Sequence, residues 1–310
     1  MKVLEFTSFF TPTGEEYSFD ADSRFLISEE GLGMPPIEYI TQKGPYQHGE
    51  TLVSFKLQPR TIQLLLRQDS CGRTKYWEKR AELLNYLRPN FFITNFGNGT
   101  LRKKFEDGSM KDIDVVIQQG PIFKARDTTR WDEWGFTESL RFIAHDPLFY
   151  NPVLKTLLMN TLEDPYELTQ IVFPITFPFI LGGLAGYQSS SITYAGTWES
   201  FPVIKVHGPM AGFVLTNVTT GKVIEFARVL TDSQYVTISL EPGNKTVVGT
   251  LLLSTENWIG SVTPESDLES FSIAPHPVAT NGVNEFEIST SGIGFTSYVR
   301  IEYYEKFIGI

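Results

Sequence analysis

The stretch TLVSFKLQPRTIQLLLR, residues 51–67, decides the fold class. Apolar residues recur in two runs, Thr51 to Leu57 and Thr61 to Arg67, with Gln58, Pro59 and Arg60 between them. Short alternating runs rich in β-branched and aromatic residues, punctuated by proline, are the pattern of strands and not of a helix. In the first run Val53, Phe55 and Leu57 fall on one side and Leu52, Ser54 and Lys56 on the other. That predicts a half-buried sheet, with the two runs as adjacent antiparallel strands.

The same rhythm extends in both directions. Upstream, Asp20 to Ile27 and Ile37 to Thr41 read as strands; downstream, Phe91 to Asn95, Leu101 to Phe105, Ile113 to Gln119 and Phe136 to His145 do. The last of these sets Phe136, Glu138, Leu140, Phe142 and Ala144 against their alternate neighbours. The tips NFGNGT and EDGS carry glycines suited to tight turns. One segment breaks the pattern. From Lys75 to Leu87 the residues Tyr76, Trp77, Ala81, Leu83, Leu84 and Leu87 recur at helical spacing, which predicts an amphipathic helix on the sheet, capped by Thr74 and stopped near Pro89.

At HDPLFYNP, residues 145–152, two prolines bracket Phe149 and Tyr150, a pair placed to plug the underside of a sheet. A domain boundary is expected there, giving domains 1–150 and 151–310. In the second, strands are expected at Ser191 to Tyr194, Val203 to His207, Gly212 to Asn217, Lys222 to Ala227, Tyr235 to Leu240, Lys245 to Leu253, Glu269 to Ile273, Asn284 to Ser289 and Ser297 to Tyr304. Regular short strands without helices suggest a β-sandwich of jelly-roll or lectin-like type. The apolar run Ile171 to Leu184 is too short and too rich in proline for a membrane helix.

Composition narrows the function classes. The 310 residues suffice for two domains, and 24 Phe, 13 Tyr and 5 Trp supply anchors for packed cores. With 36 acidic against 26 basic residues the net charge is −10, and the charges are interspersed. Specific nucleic-acid binding, which needs clustered Lys and Arg, is not expected. The one cysteine, Cys71, excludes an internal disulfide framework and a cysteine-rich zinc site. The N-terminal residues lack the apolar core of a signal peptide, so synthesis in a cytoplasm is expected.

No phosphate loop, dinucleotide fingerprint or nucleophile elbow occurs. His48, His145, His207 and His276 lie far apart in sequence, and no cofactor, metal or catalytic residue is expected from them. Glu225 or Asp232 could be nominated for glycoside hydrolysis, but nothing sets them apart from surface acids. Tyr187, Tyr194, Trp198, Phe201 and Trp258 could form a sugar-stacking platform, with Trp198, Trp258 and Tyr194 its principal rings; the competing reading places such aromatics in the core.

The order of motifs carries more than any one residue. GMPPIEY, GPYQHGET, RTIQLLL, YWEKRAELLNYLRP and AHDPLFYNP, in that sequence, resemble the N-terminal domain of distal tail proteins from long-tailed bacteriophages. In that family a Pro-small-Gln-His/Asp-Gly loop precedes a long strand; Tyr46 stands here where the small residue is expected. ITYAGTWESFPVIKVHGP, SFSIAPHP and VRIEYYEKFIGI are similar to the family's C-terminal galectin-like β-sandwich. The resemblance implies a mainly β chain with an N-terminal ring-forming sheet domain bearing one packed helix. It further implies a non-enzymatic baseplate hub protein of the virion tail tip, a homo-hexameric ring between the tail tube protein and the tail-tip or tail-associated protein. A receptor-binding protein or tape measure protein is a further possible neighbour. Gln47, His48 and Trp77 are the candidate subunit contacts. The alternative is a carbohydrate-binding module that attaches the particle to host surface glycans.

Overall fold

A computed structural model of the chain describes residues 6–19, 24–70, 72–88, 97–123, 134–160, 185–251, 254–294 and 296–310. They fall into two units: Met1–Pro152 with Phe307–Ile310, and Val153–Lys306. The chain is mainly β, with one α-helix among the described residues.

The first unit contains β1 (Phe6–Phe10), β2 (Glu16–Ser18), β3 (Arg24–Glu30), β4 (Ile37–Gln42), β5 (Thr51–Leu57), β6 (Arg60–Ser70), α1 (Arg73–Tyr86), β7 (Gly99–Lys104), β8 (Met110–Gln119), β9 (Trp134–Ala144) and β10 (Phe149–Tyr150). Seven strands follow the order β2-β1-β7-β8-β9-β6-β3, and β10 pairs with β8. At the centre, β6 and β9 are in antiparallel register from Arg60↔Ala144 to Ser70↔Trp134. Alternation then sends Ile62, Leu64 and Leu66 of β6 and Phe136, Leu140, Phe142 and Ala144 of β9 into one core. Glu138, in the same phase of β9, is buried with them. Helix α1 packs over β6 and β9 and adds Leu83, with Leu87 just beyond its end. Each such leucine contributes about 1.5–3 kcal/mol on leaving water.

Four expectations need correction here. Strands β5 and β6 are consecutive but not paired: among the described residues β5 pairs only with β4, in a separate two-stranded ribbon, while β6 lies between β3 and β9. The chain changes sheets at Gln58–Pro59, where the Gln58 N–H donates to the Pro36 carbonyl at 2.8 Å and closes the ribbon's base. As a result β5 is not half-buried; six of its seven residues, Thr51 to Lys56, are exposed on both faces. Thr74 is not a cap, because the helix starts at Arg73 behind Gly72 (φ 97°), which has no side chain to cap with. Trp77 and Leu84 also leave the apolar face and point to solvent.

Strands β1 and β2 were not expected. Strand β3 runs to Glu30, beyond the anticipated end at Ile27, while residues 20–23 lie outside the described residues. The expected strand Phe91 to Asn95 and the first two residues of the NFGNGT tip also fall outside them, while Gly99 and Thr100 of that tip begin β7. The EDGS tip does join β7 to β8, with Gly108 at φ 82°. Phe149 is fully buried in the core.

The second unit is a β-sandwich. Its strands are β11 (Lys155–Asn160), β12 (Ala185–Thr193), β13 (Val203–His207), β14 (Met210–Asn217), β15 (Lys222–Leu230), β16 (Gln234–Ser239), β17 (Thr246–Leu251), β18 (Ser254–Asn257), β19 (Val283–Ser291) and β20 (Tyr298–Tyr303). One sheet has the order β11-β20-β13-β16-β17-β18, the other β12-β19-β14-β15. Ile204, Val206, Val236, Ile238, Val299 and Ile301 of the first pack with Phe213, Leu215, Ile224, Phe226, Phe286 and Ile288 of the second. Glu269 to Ile273, expected as a strand, is instead a turn with the Phe271 N–H donating to the Asp267 carbonyl at 2.9 Å; only Ile273 forms a bridge, to Ser200. Its apolar residues serve the core all the same, Phe271 and Ile273 being fully buried. The run Ile171 to Leu184 lies outside the described residues.

Trp258 is the sandwich's largest core side chain, and it packs flat against a glycine. A Cβ on Gly249 would sit 1.9 Å from the indole ring. Gly249→Ala should therefore destabilise the protein by about 3 kcal/mol. Gly260→Ala, where a Cβ meets nothing within 4 Å, should melt like the parent chain. Thermal unfolding followed by tryptophan fluorescence separates the two.

Candidate interaction surface

The ribbon β4–β5 is an arm that leaves the first unit's sheet and returns to it. Its tip is built by local chemistry: the Gln47 N–H donates to the Gly44 carbonyl at 3.2 Å, and Gln47 Oε1 accepts the Gly44 N–H at 3.0 Å. Gln47 Nε2 then donates to Thr51 Oγ1 at 2.7 Å, and Thr41 Oγ1 to Glu50 Oε2 at 2.6 Å. Gly49 (φ 80°) makes the turn into β5. Along the ribbon Ile37 pairs with Leu57, Tyr39 with Phe55 and Ile40 with Ser54, before a bulge at Ile40/Thr41.

Among its polar residues the arm exposes several large apolar ones. Tyr46 is 98% exposed, Tyr39 and Leu52 60%, Val53 59% and Phe55 48%. An isolated two-stranded hairpin is marginal in water, and unpaired strand edges beside apolar side chains form a template for another chain.

The base of the arm is tied to the sheet by a buried side chain. Arg60, at its exit, is 1% exposed. It donates from Nη1 to the Gly31 carbonyl at 3.1 Å, on the entering side, and from Nη2 to the Ile308 carbonyl at 2.5 Å. Its guanidinium lies 4.6 Å above the Phe149 ring. Burial pulls its pKa down to about 10, opposed by the charge of Asp146. Gly31 (φ 90°) lies so close to the Thr61 carbonyl oxygen that a Cβ would sit 2.2 Å from it.

A second exposed apolar strip lies on α1. Trp77, Ala81 and Leu84, spaced by four and three residues, share its outer side. Arg80 lies 4.7 Å above the Trp77 ring and 3.8 Å above the Phe123 ring.

Of the expected contact residues, His48 is exposed at the arm's tip and Trp77 is exposed on the helix. The Gln47 side chain is committed to the turn. The sugar platform is dispersed. Tyr194 is buried, its hydroxyl donating to the Trp198 carbonyl at 2.7 Å and accepting the Lys306 N–H at 2.8 Å, and burial pushes its pKa up. Trp258 is 2% exposed, with its Nε1–H on Glu256 at 3.0 Å and the Arg228 guanidinium 4.1 Å above its ring. Trp198 is half-buried, and only Tyr187 of the five candidate rings is widely exposed. Glu225 accepts from Thr263 Oγ1 at 3.2 Å and Asp232 from Thr296. His145 and His276 are exposed, and His207 stacks on Tyr298 at 5.3 Å.

No family model and no curated protein sequence matches the chain. Solved structures do. The SPP1 Dit (gp 19.1) protein, described as a paradigm of hub adsorption apparatus in Gram-positive infecting phages, superposes with a TM-score of 0.61 at 14% identity, covering 99% of this chain and 100% of that one. The phage P2 baseplate in its activated conformation with calcium gives a TM-score of 0.49 at 9% identity over 98% and 99% of the two chains. The first likeness shows a shared fold from end to end.

Sequence reasoning missed Arg60 as an anchor and Tyr46 as the most exposed arm residue. Tyr46 did carry a signal, as a bulky aromatic where a turn takes a small residue. Tyr46→Ser and Leu52→Ser should change unfolding free energy by less than about 0.5 kcal/mol. Leu64→Ala, at a fully buried position, should cost about 2–5 kcal/mol. Urea denaturation of the three variants measures both.

Proposed function

We propose that this chain is a structural hub protein of a phage tail tip, a distal tail protein whose copies form a hexameric ring between the tail tube and the adsorption apparatus. The observation that carries this reading is the whole-chain fold likeness to the SPP1 hub adsorption protein, 99% of one chain on 100% of the other. The ordered series of motifs from GMPPIEY to AHDPLFYNP supports it independently of the fold.

The exposed arm supports the assembly part of the reading. A subunit in a ring presents two unlike surfaces to its two neighbours, and an apolar ribbon held on a rigid base is suited to be one of them. On this reading the first unit forms the ring and the sandwich unit is the outward domain. The chain performs no reaction, and its partners are its own copies, the tail tube protein and a tail-tip protein.

Negative-stain microscopy and mass photometry of the purified chain should show six-membered rings or stacked pairs of them. A chain that stays monomeric at high concentration, and binds neither tube nor tip proteins, would sink this assignment.

A further inference from the structure

Part of the first unit comes from far along the chain. Phe307–Ile310 belong with Met1–Pro152, and the whole of Val153–Lys306 lies between them in sequence. What these residues touch is the entry to the arm. Arg60, at the arm's exit, donates to the Ile308 carbonyl from Nη2 and to the Gly31 carbonyl from Nη1, so one side chain holds both segments. The Ile310 N–H donates to the Leu32 carbonyl at 3.0 Å. Between these bonds Gly309 lies against the backbone of Leu32 and Gly33, where a Cβ would sit 3.0 Å from the Gly33 carbonyl carbon and oxygen and 3.1 Å from the Leu32 oxygen. We propose that residues 307–310 are a strap that fastens the root of the β4–β5 arm, and that the arm is therefore set only after the second unit has been synthesised.

The strap is itself anchored. Phe307 is 9% exposed and belongs to the first unit's core, with the Lys111 ammonium 3.1 Å from its ring centre. Ile310 and Leu32 pack against the same core. The strap also completes the polar accounting at the root. It supplies one of the two carbonyls to which Arg60 donates and the donor for the Leu32 carbonyl. Without it a buried guanidinium loses an acceptor, which is costly away from water. A two-stranded ribbon is marginal by itself, so its order depends on how its two ends are held. The strap holds the entering end at Leu32 and Gly33, and through Arg60 it is bonded to the leaving end.

Chain direction then sets the order of events. Domains fold from the N-terminal side as synthesis proceeds, and β4, β5 and Arg60 emerge long before residues 307–310. An interrupted chain carries every strand of the arm and of the sheet below it, but its arm has no strap. Where the arm serves assembly, as read above, this keeps incomplete chains from presenting it. Only that use rests on the assembly reading; the fastening does not.

The test is hydrogen–deuterium exchange of the full chain, at concentrations too low for association. Gly309→Val drives bulk into the Leu32–Gly33 backbone, and Ile310→Pro removes the N–H that bonds the Leu32 carbonyl. In both variants the amides of β4 and β5 should exchange tenfold faster or more, while those of β7, β8 and β13 keep the parent rate. Gly33→Ala, whose Cβ meets nothing within 4 Å, should match the parent throughout. Parent rates in β4 and β5 of both variants, or a rise shared equally by β7 and β8, overturn the strap. Either result leaves the hub assignment standing if the parent chain forms rings. Fast arm exchange in variants of a chain that never forms rings upholds the strap and removes the hub.

Discussion

Among the described residues, the most deeply buried cation of the first unit, Arg60, ties its arm to its sheet. Arg60 is placed where three segments distant in sequence converge: Gly31 before the arm, Ile308 in the returning tail, and the ring of Phe149. Burying a guanidinium is costly unless its donors are satisfied. Arg60 meets this with two carbonyls, an aromatic face and the field of Asp146, although its Nε finds no acceptor among the described residues. An apolar residue could fill the space but could not bind carbonyls from two segments. The register of β6 begins at the same residue, so the clamp also fixes which side chains of the central strand face the core.

The sandwich relies on close approach instead of a cation. Gly249 lets Trp258 lie against strand β17, and Gly196 lies where a Cβ would meet the Tyr194 ring at 2.4 Å. Aromatics that were candidates for ligand contact are thereby drawn into the interior, and their polar atoms are bonded to Glu256, the Trp198 carbonyl and the Lys306 N–H. A ring that is both packed and hydrogen-bonded holds a sheet position and has no face to offer a sugar.

Much of the fold was legible because burial follows period two. Phe136, Glu138, Leu140, Phe142 and Ala144 were read as one face of a strand, and all five are buried. Val203 to His207 was read with its observed bounds. The failures have a common cause. Alternation says that a strand has two faces but not which strand lies beside it, so Thr51 to Leu57 was joined to its sequence neighbour and not to β4. Phe271 and Ile273 alternate as a strand would, yet they fill the core from a turn. Arg60 was invisible as an anchor because its partners are main-chain carbonyls, which leave no mark in a sequence. The helix was recognised from its spacing, but periodicity did not distinguish a leucine facing the sheet, Leu83, from one facing water, Leu84.

That last ambiguity bears on function. Tyr39, Leu52 and Val53 are exposed on a ribbon that pairs with no third strand among the described residues, and a two-stranded ribbon is marginal by itself. Simple solubility would be served by charged residues at those positions. Here the chain does the reverse: it keeps the apolar residues and fixes the ribbon at its base through Gln58, Gly31 and Arg60. Rigid attachment lowers the entropy lost when a partner immobilises the arm, so binding needs less contact area to be stable. Apolar exposure on a clamped base suits an association element, in line with the assembly role proposed above.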